Sequence, residues 1–152
     1  MLKKIIFVLL IFNFLHGCGF TPMYSSNNQK EVTIEKINFS GDEELNNFIE
    51  KSLKKYEKDE GQRKFSLSIS TKYSKVTITK DSAGNTTNFQ IIAEANISVI
   101  SKNINKNFTI IENFKMENYS DELEEKRFET SIKNNLSNLI VDRMITQLSL
   151  IK

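Results

Sequence analysis

The chain has one cysteine, one histidine, one proline and no tryptophan. A single thiol excludes an intramolecular disulfide, so the apolar core alone must hold the fold. The one histidine, His16, lies in the N-terminal segment. Without a second histidine or a free thiol, acid–base and nucleophilic schemes would rest on Ser, Lys and carboxylates alone. The five glycines form no phosphate-cradling loop. Arg63, Arg127 and Arg143 are the only arginines, and no basic patch interleaved with aromatics accompanies them, so nucleic-acid binding finds no support. Glu122, Glu124 and Glu125 are neighbouring acids, but at the start of a predicted helix they match its dipole and do not outline a metal site. These absences predict a protein that is not an enzyme and uses no cofactor or metal.

A long hydrophobic run is also missing. The apolar stretch from Ile5 to Leu15 has eleven residues and contains Asn13. A membrane-spanning helix needs about 20 apolar residues. Lys3 and Lys4 head the stretch, and Leu15-His16-Gly17-Cys18 closes it. A charged head, a short apolar core and a small residue before the cysteine read as a bacterial lipoprotein signal. Residues 1–17 are therefore read as the signal peptide and Cys18 as the lipid-bearing first residue of the mature chain. Gly19 follows it, where an Asp would be the familiar signal for inner-membrane retention. The expected address is the outer membrane, lipid-anchored on the periplasmic side.

Removing residues 1–17 from 152 leaves 135, enough for one modest core. Of 21 basic residues, Lys3 and Lys4 leave with the signal, so 19 basic face 19 acidic residues. The formal charge of +2 belongs to the signal, and the remainder is neutral. Residues 18–30 hold Pro22 and a Ser/Asn stretch and read as a lipidated tether. Phe20 and Tyr24 either dock onto the domain or sit at the lipid interface. Residues 31–152 read as a single α+β domain.

In that domain, Glu31 to Phe39 reads as a strand with Val32 and Ile34 on one face. Asp42, after Ser40-Gly41, caps a predicted helix whose Leu45, Phe48, Ile49, Leu53 and Tyr56 form one stripe. Gly61 ends that segment. Phe65, Leu67, Ile69 and Tyr73 alternate with polar residues, and then the apolar phase moves to Val76 and Ile78. That slip predicts a β-bulge near Ser74–Lys75. Asp81 to Asn85 reads as the turn, followed by a strand with Phe89, Ile91, Ala93, Ala95, Ile97 and Val99 on one face. A turn over Asn103 to Lys106 leads to a strand with Phe108, Ile110, Phe114 and Met116 inward. Asp121 and Glu124 suggest a capping box, and Phe128, Ile132, Leu136, Leu139, Ile140, Met144 and Leu148 a helical stripe. The order β-α-β-β-β-α predicts a two-layer α+β sandwich, with two helices packed on one face of a four-stranded sheet. The other face, with Ser66, Ser68, Ser70, Lys72, Thr77, Thr79 and Lys80 on it or at its edge, is polar. It is either simply solvated or fitted against another protein.

The Cys18-Gly19-Phe20-Thr21-Pro22-Met23-Tyr24 start, the element order and the hairpin from Thr79 to Ile100 together resemble the LPS-assembly lipoprotein family LptE, in its short alphaproteobacterial form. The resemblance spans essentially all of the chain after the signal. It implies an outer-membrane lipoprotein that plugs the LPS-transport β-barrel LptD, assists its assembly and supports lipopolysaccharide insertion into the outer leaflet, without catalysis. Some relatives carry a basic residue beside the hairpin glycine. Here Ser82 and Ala83 precede Gly84, and the nearest cation is Lys80, which becomes the candidate for a lipopolysaccharide phosphate contact. The alternative is another lipid-anchored envelope adaptor, a pilotin or a subunit of the barrel-assembly machine. For an anchored enzyme the sequence offers no catalytic residues.

Overall fold

Alternating apolar residues in three long segments and two amphipathic helical segments leave one economical solution: a sheet with one greasy face under a helical layer. The computed structural model describes residues 32–57, 63–102 and 104–151. Cys18, the tether with Phe20 and Tyr24, and Gly61 lie outside the described residues. The order is β1 (Val32–Gly41), α1 (Glu43–Leu53), a 3-10 turn (Lys54–Tyr56), β2 (Arg63–Lys80), β3 (Thr86–Ser101), β4 (Ile104–Glu117) and α2 (Glu122–Leu150). The strands lie in sequence order, β1-β2-β3-β4. β1 and β2 are parallel and joined through α1, while the other pairs are antiparallel. Both helices cover one face, as expected of the two-layer α+β class.

Helix α1 begins where Asp42 accepts the Leu45 N–H at 2.8 Å, and Glu43 and Glu44 fill its first turn. Leu45, Ile49, Leu53 and Tyr56 are buried. Helix α2 begins at Asp121, which accepts from Leu123 and Glu124 N–H at 2.8 and 3.1 Å. The acid that reaches back over the helix start is Glu125, which accepts from Tyr119 N–H. At the other end of α2, Arg63 donates to the carbonyls of Ser149 and Ile151. Ile132, Leu136, Ile140, Met144 and Leu148 are buried as the spacing predicts. Leu139 departs from that stripe and is 47% exposed, and Phe128 lies at its margin. Ser137, Val141 and Ile145 are buried instead, because α2 meets α1 as well as the sheet and buries a broader arc than one stripe.

The bulge predicted near Ser74–Lys75 is not there. β2 pairs with β3 without interruption from Ser66↔Ile100 to Thr77↔Phe89, and the register shifts only between Thr77 and Lys80. The apolar phase ends at Tyr73 because the next helix-facing position is Lys75, whose ammonium meets Glu125 and Glu129 of α2 at 2.6 and 2.8 Å. Val76 lies on the open face, 49% exposed. Thr77 falls on the helix-side row opposite Phe89, not on the polar face. A bulge does occur in β1, between Ile34 and Lys36. The β3–β4 turn is tighter than predicted, since Ser101 already pairs with Ile104.

Candidate interaction surface

Among the described residues no helix covers the open sheet face, which divides into two zones. Near the β1 end it is a concave trough of about 550 Å³, lined by short polar side chains that include Ser40, Ser68, Ser70, Asn96, Ser98 and Thr109. Within it Thr109 Oγ1 donates to Asn96 Oδ1 at 2.6 Å, and Asn96 Nδ2 donates to Glu94 Oε1 beside it at 2.8 Å. Toward the β2–β3 hairpin the same face becomes apolar along a diagonal. Val76 pairs with Gln90, Ile92 with Ser74 and Asn113, and Ile111 with Glu94, so Val76, Ile92 and Ile111 sit on successive diagonal steps. Ile78, 42% exposed, follows Val76 at the register shift. Ser66, Ser68, Ser70 and Lys72 share the open face, as the sequence predicts. The apolar diagonal was missed because its members belong to three different strands.

The hairpin tip is a built turn. Asp81 Oδ1 accepts from the N–H groups of Ala83 and Asn85, Oδ2 accepts from Asn85 Nδ2, and Gly84 takes φ +87°. The Asn85 side-chain bond and then the Asn85 backbone bond hold the Asp81 carboxyl below its ordinary value. Lys80 closes β2 opposite Thr86 and is exposed beside this turn. The tip is further tied to β4, because Asn118 donates from its backbone to Thr87 and from its side chain to Thr86.

Under the hairpin, on the helix side, ionic contacts stand beside the buried Ile91, Ala93 and Met116. Tyr73 donates to Glu129, Lys75 lies 4.4 Å from the Phe89 ring centre, and Lys133 lies 4.1 Å from that of Tyr73 while pairing with Glu44 at 2.6 Å. Burial raises the Glu129 carboxyl, but bonds from Lys75 and Tyr73 outweigh it, and the net direction is down. Burial lowers the Lys75 ammonium, yet its two glutamate partners leave it raised. Burial, and then the Glu129 bond, push the Tyr73 phenol up.

A buried acid, Glu112 on β4, was missed because it interrupts the inward row Ile110–Phe114. Its partner is Arg143 of α2, with Nε 2.6 Å from Oε1. The approach is an ion contact outside hydrogen-bonding geometry, since Glu112 Oε1 is buried without a hydrogen bond. Among the described residues, no three His, Cys, Asp or Glu side chains gather as metal ligands, and no helix is long and apolar enough to cross a membrane. What the surface offers is a polar recess, an apolar diagonal and a hairpin turn.

No protein-family model matches the sequence, and no curated protein matches it either. Solved structures do share the fold. Rare lipoprotein B of Shewanella oneidensis superposes with a TM-score of 0.59 at 14% identity, over 75% of this chain and 93% of that one. An uncharacterised lipoprotein B of Nitrosomonas europaea gives 0.56 at 9% identity, over 82% and 88%. A minor lipoprotein of Acinetobacter baumannii gives 0.51 at 8% identity, over 74% and 94%. Rare lipoprotein B is LptE, so the fold implied by the sequence resemblance is the fold found.

Proposed function

We propose that this chain is an outer-membrane lipoprotein, anchored through a lipidated Cys18, that assembles with and plugs the LPS-transport β-barrel LptD and so supports lipopolysaccharide insertion into the outer leaflet. The observation that carries the reading is the fold shared with rare lipoprotein B over nearly the whole of that protein. Residues 1–17 are then a cleaved signal and residues 18–30 the tether. The open face supports the reading physically. A barrel lumen is polar, and a trough of Ser, Asn and Thr side chains can approach such a wall closely without stranding a charge. Lys80, exposed at the hairpin end, is the proposed contact for a lipopolysaccharide phosphate. No group in this assignment performs catalysis.

The test is copurification. Tagged full-length protein, extracted from membranes, should bring down one outer-membrane barrel identifiable by mass spectrometry, and depletion of the protein should leave that barrel misfolded. A barrel that matures normally in depleted cells would sink the proposal. Capture of a secretin or of barrel-assembly subunits in place of LptD would move the protein to the adaptor reading. Lys80→Ala should weaken lipopolysaccharide retention by the purified complex without loosening the barrel; unchanged retention removes Lys80 from the assignment.

A further inference from the structure

The two ends of the long strands differ in charge. At the end opposite the hairpin, Ser101 Oγ donates to the Lys64 carbonyl at 2.7 Å, and Arg63 donates to the carbonyls of Ser149 and Ile151. The β3–β4 turn, the start of β2 and the end of α2 therefore meet at one corner. No acid occurs in residues 63–80, 95–111 or 143–152, and Lys64, Lys102 and Lys106 are exposed at the corner. Helix dipoles do not account for these lysines, which lie on strands and a turn, and α2 has no basic residue in its last turn. Among the described residues, the acids near this end are Glu35, Glu50 and Glu57, on the β1–α1 side. Two large apolar side chains flank the lysines, Ile100 at 55% and Leu150 at 68% exposure. Lys102 turns the corner with φ +25°, in the left-handed region that favours glycine or asparagine.

We infer that this corner rests on the anionic phospholipid headgroups of a bilayer, the same bilayer that takes the lipid on Cys18. Exposed aliphatic side chains ringed by ammonium groups are what an interfacial contact needs: the first enter the acyl boundary and the second meet phosphates. Each lysine near such a surface strengthens binding about fivefold. The backbone at Lys102 agrees, since a glycine would relieve its conformation but forfeit the ammonium. Where the chain leaves the domain agrees as well. β1 starts at Val32, opposite Arg63 of the corner, so the tether joins at this end. A tether of residues 18–30 reaches at most about 45 Å and by itself sets no orientation; the corner fixes which side of the domain meets the membrane. At the hairpin end Leu123 is as exposed, at 60%, but Asp121, Glu122 and Glu124 adjoin it, and an anionic bilayer repels them. The inference takes from the proposed function only the anchor. It leaves the trough, the apolar diagonal and the hairpin free for a barrel.

Fluorescence quenching tests it. The chain has no tryptophan, so one introduced indole reports its own surroundings. Full-length protein carrying Ile100→Trp, or Leu123→Trp as the control, is extracted from membranes and reconstituted into vesicles of phosphatidylethanolamine and phosphatidylglycerol with brominated chains. Ile100→Trp should be quenched at least about threefold more than Leu123→Trp. Adding Lys102→Glu and Lys106→Glu should cut that quenching at least about twofold, and so should exchanging phosphatidylglycerol for phosphatidylcholine. Lys115→Glu, exposed toward the hairpin, should leave it unchanged. A thermal melt confirms that each variant is folded. Equal quenching at the two positions overturns the inference, and so does quenching indifferent to the charge reversals at Lys102 and Lys106. Selective quenching with an unmodified Cys18, read from the intact mass, would sink the anchor reading and leave this one standing; a lipidated Cys18 without selective quenching would do the opposite.

Discussion

The half of the sheet near β1 and the half toward the hairpin tip are made of the same strands and held together differently. In the first, four strands lie under both helices, and Phe65, Leu67, Ile69, Ala95, Ile97 and Val99 are buried to within a few per cent. In the second, β1 has ended, three strands remain, and the first turns of α2 contribute carboxylates beside a smaller buried set of Ile91, Ala93 and Met116. Apolar burial is non-directional and insensitive to pH, whereas ion pairs at partial exposure are weak, geometric and titratable. Hydrophobic packing therefore anchors the domain, and a polar clasp positions the arm that projects from it. An arm held this way can open locally without loss of the fold that carries it.

The sharpest break should come in the apolar half. Phe65→Ala should cost about 4 kcal/mol, measured as a fall in the urea midpoint with unchanged slope; a cost below about 1 kcal/mol would mean that the core is not where the packing puts it. Next comes the border between the halves. Gly41 has φ +94°, and a Cβ there would lie 1.9 Å from the Thr71 carbonyl oxygen. At this point Thr71 Oγ1 also donates to Asn46 Oδ1 at 2.8 Å, so the backbone has little room to yield. Gly41→Ala should destabilise by about 3 kcal/mol, close to the core substitution although it removes no buried surface.

The ionic half should respond more weakly and locally. Lys75→Met keeps the alkyl stem but leaves Glu125 and Glu129 without their shared ammonium, at a cost of about 1 kcal/mol. Hydrogen exchange should quicken in residues 86–94 and remain unchanged in 95–101; uniform quickening would mean that the two halves are one cooperative unit. pH sharpens the same contrast. The folded Glu129 value lies below its ordinary 4.5, so its contribution is full above 4.5 and is lost as pH falls through the folded value. Lys75 and Tyr73 are raised in the folded state. Their contributions are full below the ordinary values of 10.5 and 10.0 and fade as pH rises beyond them. Tip amides should lose protection at both extremes before those of the apolar half. Of similar size, Gly84→Ala should cost about 1 kcal/mol through its positive φ alone, because nothing lies within 4 Å of the added Cβ.

The apolar half was almost wholly legible in the amino-acid order. Alternation placed Phe65 to Ile69 and Ala95 to Val99 on one face, and the caps Asp42 and Asp121 marked both helix starts. Reading failed where polarity and burial part company. Lys75 looked like a break in the strand because a charge at an inward position is indistinguishable from a slip until its partners, fifty residues away, are known. Glu112 escaped notice for the same reason, its partner lying on α2. Leu139 was assigned to the core because a stripe drawn at helical spacing carries no record of where the neighbouring helix lies.

Local order along the chain determined which segments are strands and helices and which face of each is apolar, because these depend on side-chain chemistry and on the two fixed periodicities of backbone structure. Only the tertiary structure decided the strand order, the conversion of Lys75 and Glu112 from apparent errors into paired charges, and the assembly of Val76, Ile92 and Ile111 into one diagonal. Each of these joins residues distant in sequence, and their energies exist only once the chain has brought them within a few ångströms.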